Sequence, residues 1–157
     1  MPPAHGREFG RHTRVRGARA LAGRHDRAMA QRNVLGGELQ ECGTDPVTGF
    51  SRTGSCEFVP EGAGMHTICV VVTADFLGHQ REIGNDLITP MPMYGFRGLV
   101  PGDRWCVVAP RWVQSHDAGR AAPVVLAATN EYALTFVDLE TLRAYAVDTP
   151  DDLSSLT

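Results

Sequence analysis

The residues best suited to chemistry lie in and around one connection, Gly84–Cys106, which reads GNDLITPMPMYGFRGLVPGDRWC. It joins two apolar segments and mixes glycine and proline with acidic, amide and arginine side chains. A connection this long is usually either functional or without order, and its aromatic and apolar content favours an ordered loop. We therefore expect it to line the main pocket of the domain, together with His66 and the loop at Asp45.

A histidine and a carboxylate could supply acid–base chemistry in that pocket. His66 follows a glycine-rich loop and opens an apolar segment, and a pKa near neutrality suits imidazole to general-base work. Asp86 stands near the start of the connection and Arg104 near its end. We expect these two side chains within about 10 Å of each other, because a ligand cavity is about that wide. The alternative for His66 is a hydrogen-bonded histidine at a strand end.

Further polar side chains could bind a small polar or anionic ligand, since groups at strand ends often converge on one pocket. These ligand-binding candidates are Asp45, Asn85, Asp103, Arg104 and Arg111. Their structural alternative is local, because such residues also cap turns and form ion pairs. No nucleophile elbow, phosphate-binding loop, zinc-protease helix or dinucleotide fingerprint is present. The sequence therefore indicates no particular reaction, substrate or cofactor.

The four cysteines stand at positions 42, 56, 69 and 106. Their spacing lacks the CxxC-type pairs typical of structural zinc, so no metal site is predicted. A zinc site on Cys42, Cys56 and His66 is the alternative. Cys69 and Cys106 lie in apolar segments, where a thiol behaves as a small hydrophobe, and Cys69 should resist labelling. Cys42 and Cys56 flank one loop and could form a disulfide, which a reducing cytoplasm disfavours.

The elements that position these residues are short. The segment 66–73 is β-branched and nearly continuously apolar, which predicts a central strand. Thr73 is predicted to cap a helix from Ala74 to about Ile83, which Gly84 ends. Irregular loops rather than regular βαβ spacing predict an α+β fold, with a mainly antiparallel or mixed sheet, short helices packed on it and long ordered loops. The other predicted elements are strands at 104–109 and 123–127 and helices at 111–118 and 139–146, the last capped by Asp138.

Charge divides the 157-residue chain unevenly. Residues 1–32 carry eight Arg against two acids, whereas the remainder is acidic. We expect 1–28 to be a disordered basic extension, 33–148 one globular domain, and 149–157 a frayed acidic tail. The acidic main body argues against nucleic-acid binding, because phosphate contacts need clustered cations. No apolar run approaches the roughly 20 residues that span a bilayer, so no membrane partner is expected.

Several collinear motifs carry a family resemblance: NVLGG, CGTDPVTGF, HTICVVVTADFL, GNDL, PGDRWCVVAPRW and PVVLAATNEYAL. Over residues 33–148 the chain resembles the bacterial family called domain of unknown function 2237. The resemblance implies a compact cytoplasmic domain and no activity, cofactor or partner. Oligomeric state and enzyme activity stay open.

Two functions are compatible with these features. The first is a domain that binds a small polar or anionic ligand, with possible acid–base chemistry. The second is a non-catalytic interaction module with an aromatic contact surface, formed by Tyr94, Phe96, Trp105 and Trp112. Buried tryptophans would favour the first, and a large exposed aromatic patch would favour the second.

Overall fold

The computed structural model describes residues 31–60 and 65–149. The predicted basic extension at 1–28 lies outside this part of the chain, as do residues 150–157 of the predicted acidic tail. Within the described residues, no helix has the length and apolar character needed to cross a membrane.

In the part of the chain that the structure describes, the sheet has two antiparallel strands, β1 (His66–Val71) and β2 (Arg104–Val108). The register sets Cys69 opposite Cys106, with an irregularity next to His66. Residues 67–70 of β1 are all buried, so both faces of this strand are covered. Burial of both faces explains why the sequence of this strand is continuously apolar and does not alternate. With helices packed beside the sheet, the fold is α+β, as predicted.

Among residues 31–60 and 65–149, three α-helices accompany the sheet: α1 (Ala74–Glu82), α2 (Ala109–Asp117) and α3 (Leu139–Ala144). The Thr73 hydroxyl accepts a hydrogen bond from the Phe76 N–H, and Asp138 accepts one from the Thr141 N–H. Both predicted N-caps are therefore confirmed.

Helix α2 begins at Ala109, ahead of the predicted start at Arg111. Pro110 occupies its first turn, where a missing N–H costs no helical hydrogen bond. The proline therefore starts the helix and does not separate it from β2.

The strand predicted at 123–127 is wrong. Val124 makes only isolated bridges, to Val70 and Ala146, and a 3-10 turn follows at Leu126–Ala128. The amides of Leu126 and Ala127 donate to the carboxylate of Asp148, at 2.7 and 3.0 Å. Because these two amides donate to the Asp148 carboxylate, they are not available to pair with a neighbouring strand, and the chain turns here.

The core lies between the sheet and the helices, and its largest side chain is Trp112 of α2. This residue is fully buried, and its indole N–H donates to the carbonyl of Ala122 at 3.0 Å. A buried tryptophan needs such a partner, because an unsatisfied donor costs about 1–3 kcal/mol. The same apolar cluster contains Phe76, Ile68 and Leu142.

A buried polar network joins α1 to α2. Gln80 is fully buried, and its amide nitrogen donates to the Arg111 carbonyl and the Ser115 hydroxyl, at 2.9 and 2.7 Å. Its amide oxygen accepts a hydrogen bond from Asn85. His79 also contacts the Ser115 hydroxyl, at 2.7 Å. The network fixes the end of α1 and the start of the Gly84–Cys106 connection against α2.

The Gly84–Cys106 connection is held by its own hydrogen bonds. Met91 and Phe96 exchange backbone bonds around a 3-10 turn at Pro92–Tyr94, and the Leu99 N–H donates to Leu87. Leu99 is buried in the core, which anchors the connection. Gly98 has φ +81°, and a Cβ there would collide with the Ile88 carbonyl.

We predict that Gly98→Ala destabilises the domain more than Gly102→Ala. Both glycines have positive φ, but a Cβ at Gly102 would meet open space. The control should therefore cost only the left-handed backbone penalty, about 1–2 kcal/mol. Gly98→Ala should add about 1–3 kcal/mol for the collision. Urea unfolding measures both, and equal losses would show that the connection does not constrain the fold.

Candidate functional site

The segment 42–56, here called the clamped loop, is tied to the sheet at both ends. Disulfides join Cys42 to Cys69 on β1 and Cys56 to Cys106 on β2, with Cα–Cα distances of 5.7 and 5.3 Å. The Cys42 amide donates to the Gly54 carbonyl at 2.7 Å, which draws the two ends of the loop together. The loop therefore lies across both strands.

This pairing corrects two predictions. Cys69 is buried as expected, but as half of a disulfide and not as a thiol. Cys42 pairs with Cys69 and not with Cys56, its neighbour across the loop. The strand register explains both results, because Cys69 and Cys106 are directly opposed. Opposed side chains lie on the same face of a sheet, so each can meet one end of the loop.

The cysteine sulfurs form one cluster. The Sγ atoms of Cys42, Cys56 and Cys106 lie within 4.8 Å of one another, and Cys69 is bonded to Cys42. All four residues are at most 2% exposed. Among the described residues this is the group of metal-ligating atoms that converges, and His66 does not belong to it.

Two buried threonines hold the backbone beneath this cluster. The Cys106 amide donates to the Thr48 hydroxyl at 2.7 Å, and the Cys69 amide donates to the Thr129 hydroxyl at 3.1 Å. Thr48 belongs to the clamped loop, so the loop contributes to the strand's hydrogen bonding as well as to its covalent attachment. Each cysteine of the sheet thereby has a fixed position.

A cavity of about 430 Å³ opens between the clamped loop and the Gly84–Cys106 connection. Residues 44–47 and Arg52 form one side, and residues 94–97 form the other. We call it the first cavity. It brings the predicted Asp45 loop and part of the predicted connection together around two arginines, Arg52 and Arg97.

Arg97 is a fixed cation in the first cavity. It donates to both carboxylate oxygens of Asp103, at 3.1 and 3.2 Å, and to the carbonyls of Gly98 and Asp45. The hydrogen bonds to Asp103 raise the pKa of Arg97. Partial burial raises the pKa of Asp103, but hydrogen bonds from Arg97 and the Val100 amide outweigh it, so that pKa is lowered overall.

Arg52 has more donors to spare. It lies in the left-handed region at φ 56°, the one such non-glycine residue among those described. Its guanidinium stands 5.3 Å from the Trp105 ring centroid. Within the described chain, the guanidinium donates one hydrogen bond, from Nη1 to the Val47 carbonyl at 3.2 Å. The remaining N–H groups are available to a ligand.

A second cavity of about 260 Å³ also borders Arg52. His66, Phe50 and Trp105 line it, and the His66 and Phe50 rings are 5.6 Å apart. The predicted His66 and Asp45 thus line two different cavities, which share Arg52.

Four of the other predicted site residues make local contacts. Asn85 donates to Gln80, and Arg111 donates to the Ile83 carbonyl at 3.0 Å. Asp103 holds Arg97. Asp86 accepts hydrogen bonds from the Thr89 hydroxyl and from the Ile88 and Thr89 amides, which lower its pKa to about 2.

Arg104 is exposed and, like Asp86, lines neither cavity. Their expected meeting in one pocket stays a prediction. Sequence reasoning missed Arg52 and Arg97 as site residues. A signal for Arg52 was present, because it is the only charged residue between Asp45 and Cys56. Arg97 stands between aromatic Phe96 and Gly98, a context without any specific ligand signature.

The sheet, the clamped loop and the adjoining cavities define a compact α+β domain in which disulfides hold the loop that borders both cavities. The chain belongs to the family described as uncharacterized protein conserved in bacteria (DUF2237), whose model matches residues 32–146. The predicted family is thereby confirmed. A search of curated proteins found no match.

We predict two disulfides and no free thiol in protein purified under oxidising conditions. Denatured, unreduced protein should not react with an alkylating reagent, whereas reduction should expose four thiols, the full cysteine content. Peptide mapping should recover the 42–69 and 56–106 linkages. Cys42→Ser with Cys69→Ser should cost about 3–4 kcal/mol, the chain-entropy value for a closed loop of this size. Alkylation without reduction, or a 42–56 linkage, would contradict the pairing.

Asp86 should stabilise the fold in a pH-dependent way. Its folded pKa of about 2 lies below the ordinary 3.8. The contribution is therefore complete above about pH 4 and is lost as the pH falls towards 2. Asp86→Asn should lower Tm at neutral pH, and the difference from the unsubstituted protein should shrink across that interval.

Glu41→Gln is the matched control for Asp86, because Glu41 is exposed, lies outside any helix and has no side-chain hydrogen bond or ion pair among the described residues. Its Tm difference from the unsubstituted protein should be small. Thermal melts from pH 7 to about pH 2 measure both variants. A difference for Asp86→Asn that stays constant with pH would contradict a role for the carboxylate charge.

Proposed function

We propose that this domain binds a small anionic ligand, with a carboxylate as the simplest fit, in the first cavity. The observation that carries this proposal is Arg52. Its guanidinium borders the cavity, is held over Trp105, and has N–H groups without partners in the described chain. Guanidinium groups bind carboxylates and phosphates through paired hydrogen bonds, which suits them to this task.

The backbone of Arg52 adds independent support. A non-glycine residue in the left-handed region is uncommon and costs about 1–2 kcal/mol. Such conformations concentrate at binding and active sites, where the surrounding structure holds them in place. Here the clamped loop supplies that constraint, because both of its ends are covalently fixed.

Arg97 serves as a second, preorganised positive charge. Its ion pair with Asp103 offsets much of that charge, and the Asp45 carboxylate stands 4.0 Å from Nη2. The net charge around the first cavity is therefore small, which favours a ligand with one negative charge over a polyanion. Tyr94 and Phe96 border the same space and offer rings for an apolar or aromatic part of the ligand.

Binding is better supported than acid–base catalysis. Asp86 has a pKa of about 2 and three hydrogen bonds, so it is a weak proton acceptor at neutral pH. His66 borders the second cavity and has partners of its own. The assignment of His66 and Asp86 as a catalytic pair stays a prediction, and the proposed function does not need it.

The interaction module is the second candidate. Its support comes from the 3-10 turn at Pro92–Tyr94, where Met93 and Tyr94 are 80% and 70% exposed. The two tryptophans expected to share in an aromatic surface are buried, at 8% for Trp105 and 0% for Trp112. The aromatic surface is therefore smaller than the sequence suggested, which favours the ligand-binding proposal.

A cytoplasmic location also remains a prediction. Two disulfides weigh against it in their present form, because cytoplasmic thiols are normally kept reduced. Absence of nucleic acid as a partner stays an expectation drawn from the acidic main body.

Ligand binding is testable by thermal shift with a panel of aliphatic and aromatic carboxylates and inorganic phosphate. A ligand that binds only the folded chain, at about a hundredfold its Kd, should add about 2.7 kcal/mol to the unfolding free energy. Arg52→Gln should remove most of that shift, since a hydrogen bond to a charged group is worth about 1.5–3 kcal/mol.

Arg104→Gln is the matched control, because Arg104 is an exposed arginine that lines neither cavity. It should preserve the ligand-induced shift. Loss of the shift in Arg104→Gln with retention in Arg52→Gln would move the site to the residue predicted from sequence. Equal shifts in both variants would overturn the proposed cavity.

A further inference from the structure

We propose that the reduced domain holds one Zn²⁺ on the thiolates of Cys42, Cys56, Cys69 and Cys106. The metal and the two disulfides would then be alternative cross-links between the clamped loop and the sheet. This site is separate from the anion site and does not depend on it.

The sulfur positions carry the proposal. Three Sγ atoms lie within 4.8 Å of one another, and the fourth is bonded to one of them. A tetrahedral zinc with bonds of about 2.3 Å needs sulfurs about 3.8 Å apart. Once the disulfides open, changes in side-chain torsion can bring the sulfurs to that spacing while the backbone keeps its course.

The backbone around the four cysteines is already organised for this geometry. Cys69 and Cys106 are opposed on paired strands, and Cys42 and Cys56 approach from the two ends of one loop. The hydroxyls of Thr48 and Thr129 accept hydrogen bonds from the amides of the two strand cysteines. Hydrogen bonds that position a ligand's backbone reduce the rearrangement needed to bind metal.

The surroundings select the type of metal. The cluster is buried among Val125 and Ala128, and the converging ligand atoms are all sulfur. An all-thiolate set favours zinc and other soft cations over magnesium or calcium, which prefer oxygen. Four buried thiolates without a cation would be strongly unfavourable, so a metal-free reduced site should hold neutral thiols.

Exchange of the two disulfides for a bound metal is a reduction followed by metal binding. Each disulfide accepts two electrons and two protons from a dithiol reductant, which becomes a disulfide. The four thiols then bind Zn²⁺ and release four protons. A disulfide oxidant reverses the process by re-forming the two protein disulfides and releasing the metal.

Metal titration of the full chain tests the proposed four-cysteine zinc site. The protein is reduced with a dithiol, freed of reductant without oxygen, and titrated with cobalt(II) and then zinc. We expect one equivalent of cobalt per chain, with thiolate charge-transfer bands and the strong visible bands of a tetrahedral centre. Zinc should displace the cobalt and raise the Tm of the reduced protein. A thiol oxidant should then release zinc as the disulfides return.

Two variants assign the ligands. His66→Ala should leave the cobalt spectrum unchanged, whereas Cys106→Ser should weaken binding at least tenfold and shift the charge-transfer bands. Spectral change in His66→Ala would overturn the four-cysteine site in favour of one that includes the histidine. If Cys106→Ser fails to fold, the unsubstituted chain still decides: no stoichiometric metal, or a spectrum without tetrahedral thiolate bands, overturns the proposal.

Discussion

The covalent attachment of the clamped loop to two neighbouring strands is the constraint on which the rest of the site depends. Within the described residues the sheet has two strands, and such a small sheet is marginal without further support. The disulfides at Cys69 and Cys106 fasten a second layer directly to its centre. The Thr48 hydroxyl, supplied by that layer, binds the Cys106 amide. The loop is therefore part of the sheet's support, and a loop held in this way can keep an arginine in an uncommon conformation.

This arrangement relates the core to the surface in a direct way. Cys106 borders the second cavity, and Arg52, its neighbour there, also borders the first. The disulfide at Cys106 and the arginine of the clamped loop therefore border the same cavity. The cysteine cluster and the proposed anion site are distinct groups of residues, and the clamped loop contributes to both.

The sequence predicted those features that depend on local chemistry. Thr73 and Asp138 carry capping oxygens at the right spacing, and the β-branched run at 66–71 determines its own strand.

The sequence did not predict features that depend on distant partners. Asp148 turns the chain at Leu126 from far along the sequence. The disulfide partners depend on a strand register that spacing alone does not reveal. Asp103 was predicted to meet a ligand, whereas its nearest arginine, Arg97, occupies it. Polar residues in loops look alike in sequence whether they bind a ligand or one another.

The buried Gln80 amide has a consequence for motion. Its nitrogen and oxygen bind α2 on one side and Asn85 on the other, and every one of these partners is a short distance away. Two helices that met only through apolar side chains could slide along each other at little energetic cost, because dispersion contacts are not directional. Here a slip by one residue would break several hydrogen bonds together, and the one between Gln80 and Ser115 is buried. The two helices are thus held in one register. Asn85, at the start of the connection that borders the cavity, is held with them.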